Sequence, residues 1–218
     1  MYRYNQPPEE LRLPASLGLD VGPEADLVIV AWRQVILGFS DPSDFVEDVR
    51  DEFKLPDAVL AAAFEAVLAA RREQQASFAD AATTTLTKAF IELNARGILA
   101  LEGFSCCAEC GARDIHELLD TEQRQRGYVF YHQADAEHLV DHGHVELTFG
   151  AALDQLMEPE EYQRLLPEGK QWWFEQVSVE FFRDEVLPVL ADYGIKVEWN
   201  REFGTRPMLS GVDFYAEV

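Results

Sequence analysis

The chain has 218 residues, of which 48% are apolar and 11% aromatic, enough to bury a sizeable core, so it is not a disordered segment. Its 18 basic residues stand against 40 acidic ones, a formal net charge of -22. Phosphate backbones and anionic membranes repel such a surface, which argues against a nucleic-acid binder or a membrane-surface protein.

The N-terminus, Met1 to Asp20, carries Arg3 but no continuous apolar run after it, so no secretory signal is expected. The longest apolar run, Leu27 to Phe39, holds Arg33 and Gln34 and falls short of the roughly 20 residues that span a bilayer. The cysteines are clustered as Cys106, Cys107 and Cys110, unlike the spread, even-numbered framework of a secreted disulfide protein. A soluble, cytoplasmic protein is the expectation.

Residues 1–24 contain Pro7, Pro8, Pro14 and Pro23 and read as an extended lead-in. Residues 25–96 read as helical. Val28, Ala31, Trp32, Val35 and Phe39 share one helix face. Asp41 or Ser43 can cap a second helix with Phe45, Val46, Val49 and Phe53 inward, and Pro56 opens a third with Leu60, Phe64 and Val67 inward. A fourth is expected from about Phe78 to Arg96, with Leu86, Ala89, Phe90 and Leu93 inward and Gly97 as its stop.

Residues 97–218 mix periods of 2 and 3.6. Ile98 to Glu102 reads as a strand, Cys106 to Leu119 as a helix, Tyr128 to His132 as a strand, Ala134 to Asp141 as a short helix and His144 to Phe149 as a strand. Gln155 to Lys170 reads as a polar connection with a helical turn. Trp172 to Tyr193 is expected to be a long helix that bends near Pro188 and stops at Gly194. Two strands close the chain, one through Ile195, Val197 and Trp199, the other through Met208, Ser210, Val212 and Phe214. The fold class is α+β, a helical layer on a mixed sheet of about five strands. No Gly/Ser/Pro linker separates residue 96 from 97, so 25–96 and 97–218 are expected to pack as one unit.

The chemistry concentrates between a strand and a helix, at Gly103 to Gly111. A helix N-terminus has unpaired N–H groups and a positive dipole end, which favour thiolates. Ser105 is the expected N-cap, with Cys106 and Cys107 in the first turn and Cys110 one turn on.

The runs Leu86 to Gly97, Phe104 to Gly111, Gly127 to Glu137 and Gly194 to Trp199 resemble a bacterial family of unknown function, domain-of-unknown-function family 6891. The resemblance covers roughly residues 25 to 215 and supplies no activity. It implies where to look: Cys106, Cys107, Cys110 and Gly111, then His132, Gln133, Asp135 and Glu137, match the family's pattern.

Three readings of the cysteines compete. They bind zinc, with His132 or His116 as the fourth ligand of a Cys3His set. Alternatively, Cys107 and Cys110 form a redox or peroxide-responsive dithiol. In the third reading the thiols are inert packing groups, and the acidic surface makes the chain an interaction or inhibitor module for a basic protein partner. His132 followed by Asp135 reads either as a ligand or base with its orienting acid, or as a helix start with a dipole-complementing carboxylate. His138 and His142, four apart on one helix face, suit zinc or nickel, or are a chance surface pair. Trp172 and Trp173 suggest core packing or a homodimer interface. No GxxxxGK[ST], GxGxxG or GxSxG pattern occurs, so neither a nucleotide cradle nor a serine-hydrolase elbow has sequence support. Whether the protein is an enzyme stays open at this level.

Overall fold

A computed structural model describes residues 2–78, 82–106, 108–119, 125–156 and 159–218. The chain divides into two compact units, residues 1–82 with 215–218, and residues 83–214.

The first unit is helical: α1 (Val21–Ile36), α2 (Pro42–Phe53) and α3 (Asp57–Ala76) pack on one another. Of the two candidate caps for α2, Asp41 takes the role, its carboxylate accepting from the Ser43 N–H at 2.8 Å with Pro42 in the first turn. The apolar stripes of the three helices, among them Leu27, Ala31, Val35, Phe45, Leu60 and Phe64, are fully buried. Phe45 stacks on Phe64 with ring centres 4.7 Å apart. At the centre of this unit lies a charge, the guanidinium of Arg71, which is fully buried. It donates to the Tyr4 carbonyl, to Gln74 Oε1 at 2.7 Å and to Asn5 Oδ1 at 3.0 Å, and it lies over the rings of Trp32 and Tyr215. The lead-in therefore has a fixed path, with short 3-10 turns at Arg3–Asn5 and Ala15–Leu17.

The second unit is α+β. It opens with α4 (Thr85–Ala95), capped by Thr84 Oγ1, which accepts from the Thr87 N–H at 3.0 Å. This start is later than the expected Phe78, because the cap lies at Thr84. Gly97, at φ 76°, ends the turn after the helix, and Asn94 then ties α4 to the strand that follows through two bonds to Ala100. Helix α4 thus belongs to the unit that holds the sheets, so the division falls at residue 82 and not at 96.

Two three-stranded sheets replace the single sheet expected from the sequence. In the first, β1 (Leu99–Leu101) pairs in parallel with β2 (Gly127–Phe130), and β2 pairs antiparallel with β4 (Thr148–Ala151). In the second, β3 (His144–Glu146) and β5 (Lys196–Glu198) flank β6 (Met208–Ser210), all antiparallel. The run His144 to Phe149, read as one strand, changes sheets at Leu147, whose N–H bonds the Pro207 carbonyl at 2.8 Å. Each sheet then takes its own alternate residues, Val145 in one and Phe149 in the other.

Helix α5 (Ala108–Leu118) lies on the first sheet, with Ile115 in a cluster with Leu99, Tyr128 and Phe130. Helix α6 (Gln133–His142) follows β2, and short helices α7 (Leu153–Leu156) and α8 (Pro159–Arg164) occupy what was read as a polar connection. Helix α9 (Pro167–Phe181) passes through a π turn at Phe182–Val186 into α10 (Leu187–Asp192). The turn lies just before Pro188, whose missing N–H cannot complete an α-helical ladder. Trp172 and Trp173 are 55% and 41% exposed, which overturns the core-packing reading of that pair. Among the described residues no helix is long and apolar enough to cross a membrane.

Candidate functional site

Parallel pairing of β1 with β2 carries the segments beyond both strands in the same direction, so the cysteine loop and His132 emerge side by side. Two backbone bonds continue the pairing, from the Phe104 N–H to the Tyr131 carbonyl at 2.8 Å and from the Gln133 N–H to the Ser105 carbonyl at 3.0 Å. At these tethers the backbone is bent. Gly103 and Ser105 both have positive φ, 58° and 61°, and for serine that conformation is strained. Ser105 is therefore not the N-cap that the sequence suggested: α5 begins at Ala108, and Cys106 precedes the helix.

Cys106 is exposed and Cys110 half-buried. Exposure of Cys106 removes it from the inert, buried set of the packing reading. Cys107 lies outside the described residues. His116 falls within α5, but its side chain is likewise outside them. One turn along α5 from Cys110 stands Arg113, whose pKa is raised first by the adjacent Asp114 and, less, by Cys110. Asp114 accepts from Arg113 Nε at 2.8 Å and from Ser105 Oγ at 3.4 Å. A polar chain thus runs from Ser105 through Asp114 to Arg113, one turn from Cys110. Sequence reading passed over Arg113 and Asp114, although their spacing of three and four from Cys110 is the helical neighbour relation that could have found them.

His132 does not lie in β2. It is the N-cap residue of α6, its ring 3% exposed and edge-on to Phe130 with centres 5.1 Å apart. Nε2 is 3.3 Å from Thr148 Oγ1, and Nδ1 is buried with no hydrogen-bond partner. Burial depresses the pKa of this imidazole, and the positive charge of Arg206 depresses it further. Asp135 and the Phe104 backbone oppose them.

Asp135 is the third residue of α6, and its carboxylate accepts from the His132 N–H at 3.1 Å, closing the helix start. The same carboxylate pairs with Arg206, which also donates to Glu146 Oε2 at 3.1 Å and to the Glu146 carbonyl at 2.8 Å. Asp135 thus acts as the helix-start carboxylate of the second reading, with an arginine added. Gln133 and Glu137 are exposed on α6. Beneath the loop, the buried Tyr131 hydroxyl donates to Glu102 Oε2 at 3.0 Å, and burial pushes both pKa values up.

Fold and site together define an α+β protein whose cysteine-bearing helix start is set against a buried histidine. The family described as Domain of unknown function (DUF6891) matches residues 23–214, and the chain belongs to it. No curated protein and no solved structure matches the chain. Among the described residues, no group of three or more His, Cys, Asp or Glu side chains is arranged to hold a metal ion.

Proposed function

We propose that the protein is a thiol-reactive, peroxide-responsive protein in which Cys110 is the attacking group. The carrying observation is the position of Cys110, half-buried in the first turn of α5 and one helical turn before the Arg113 cation. A cation beside a sulfur near a helix start favours the thiolate, the reactive form. The thiolate attacks one oxygen of a hydroperoxide and the O–O bond breaks. The departing oxygen leaves as water or alcohol after taking a proton, and the cysteine becomes a sulfenic acid. Cys107 then attacks that sulfur and expels water, leaving a disulfide. Two electrons have passed from two thiols to the peroxide, and an external thiol restores the reduced pair.

Alkylation of Cys110, followed by mass spectrometry across pH, tests this reading. Reaction is expected to reach half its limiting rate below the roughly 8.5 of a free thiol, and Arg113→Ala is expected to move that midpoint upward. A rate that rises only above about pH 8 and ignores Arg113→Ala excludes the proposal.

A zinc centre formed by Cys106, Cys107, Cys110 and His132 is favoured by a different observation, the unpartnered, buried Nδ1 of His132. Elemental analysis of untagged protein decides it. Less than about a tenth of an equivalent of zinc per chain removes this reading.

A further inference from the structure

Away from the cysteines, the structure gathers three histidines. His138 and His142 stand one turn apart at the end of α6, and His144 opens β3. The ring centres are 6.0 Å apart for His138 and His142, 6.3 Å for His138 and His144, and 5.5 Å for His142 and His144. Sequence spacing yields only the first pair. The third comes from the reversal at Gly143, which has φ 66° and returns its N–H to the Leu139 carbonyl at 3.0 Å. That reversal is held from outside: the Gly143 carbonyl accepts from the Gly211 N–H at 2.9 Å, and His144 lies opposite Ser210 in the ladder. The backbone carrying all three rings is therefore fixed, while the rings of His138 and His142 are exposed and that of His144 is half-buried.

We propose that His138, His142 and His144 form a binding site for a borderline divalent transition ion, Cu2+, Ni2+ or Zn2+, with solvent completing the shell. His144 stacks on His138 and on His142 at interplanar angles of 27° and 14°, while His138 and His142 are tilted at 36°, and the rings do not converge on one point. Binding therefore requires ring rotation. Metal–nitrogen bonds of about 2.0–2.1 Å place the centres of three ligating rings about 5 Å apart, so the three pairs must close by about 0.5 to 1.3 Å. Side-chain torsions in exposed residues supply a movement of that size without backbone change. Imidazole ligands select this group of metals over Mg2+ and Ca2+, which take oxygen. The net charge of -22 raises the local concentration of any cation.

The test is calorimetric titration of the full, untagged chain with Ni2+, paired with the electron paramagnetic resonance of one equivalent of Cu2+. One saturable equivalent with nitrogen hyperfine structure is expected. His138→Ala and His142→Ala, both at exposed positions, are each expected to weaken binding on the order of tenfold or more, since even loss of an outer-shell partner costs that much. Cys106→Ser and Cys110→Ser are expected to leave it unchanged, which separates this site from the cysteine helix. Absence of saturable binding, indifference to both histidine variants, or loss of binding in the cysteine variants overturns the proposal.

Discussion

Gly111 of α5 faces His132 with no room for a side chain between them. A Cβ at position 111 would stand 3.1 Å from His132 Cε1 and 2.9 Å from the Phe130 ring. Only a residue without a side chain lets the cysteine helix approach the histidine this closely. Phe130 cannot yield, because it is fully buried and held between Phe104 and Tyr128.

Gly111→Ala sets two effects against each other. Alanine gains about 0.8–1 kcal/mol of helix propensity, whereas overpacking a filled core costs typically about 1–3 kcal/mol. The steric term wins, so urea unfolding is expected to show a net loss of up to about 2 kcal/mol. A variant more stable than the parent would mean that α5 is free to lift off the sheet.

His132 makes stability depend on pH. Its folded-state pKa is depressed by burial, so the unfolded chain binds the proton first as pH falls. The contribution is complete above the unfolded value of about 6.5 and is lost as pH falls from there through the folded value. Melting temperatures measured between about pH 7 and 5 are expected to fall less in His132→Gln than in the parent protein. Parallel curves would show that the imidazole titrates as freely as in the unfolded chain.

Glu102 acts in the opposite direction. Burial raises its folded-state pKa, with hydrogen bonds from Thr87 and Tyr131 opposing the shift. The native state therefore favours the protonated acid, and its contribution is complete below the unfolded carboxylate range and lost as pH rises through the folded value. Glu102→Gln keeps an acceptor for Tyr131 and removes the charge. It is expected to raise the melting temperature at pH 7 relative to the parent, with the advantage disappearing near about pH 4. An advantage equal at both pH values would place the effect in packing and not in charge.

Arg71 is the polar centre of the helical unit. Its planar fork serves three separate acceptors while lying over Trp32 and Tyr215, a task the single ammonium of lysine cannot perform. Arg71→Lys is expected to destabilise by about 1–3 kcal/mol through the buried acceptors it leaves unpaired. Limited proteolysis is expected to open the chain near Tyr4 and Asn5. Protection equal to that of the parent would show that the lead-in is held by other contacts.

Local order was legible in the sequence because it rests on neighbours within a few residues. The inward faces of α1 to α4, the cap at Asp41 and the stops at Gly97 and Gly194 follow from helical period, side-chain capping and positive φ, none of which needs a distant partner. The strand after Gly97 and the helix carrying Cys110 were legible for the same reason. What the tertiary structure decided is which strands meet. The parallel pairing of β1 and β2 that puts His132 beside the cysteine loop is what a strand–helix–strand unit already requires, but the switch at Leu147, which divides one apparent strand between two sheets, depends on the whole unit. Arg206 reaches Asp135 only because β6 lies in register with β3. A period of two residues tells a strand which side is inward but not which edge it joins, so pairing across dozens of residues is left to the packing of the whole unit.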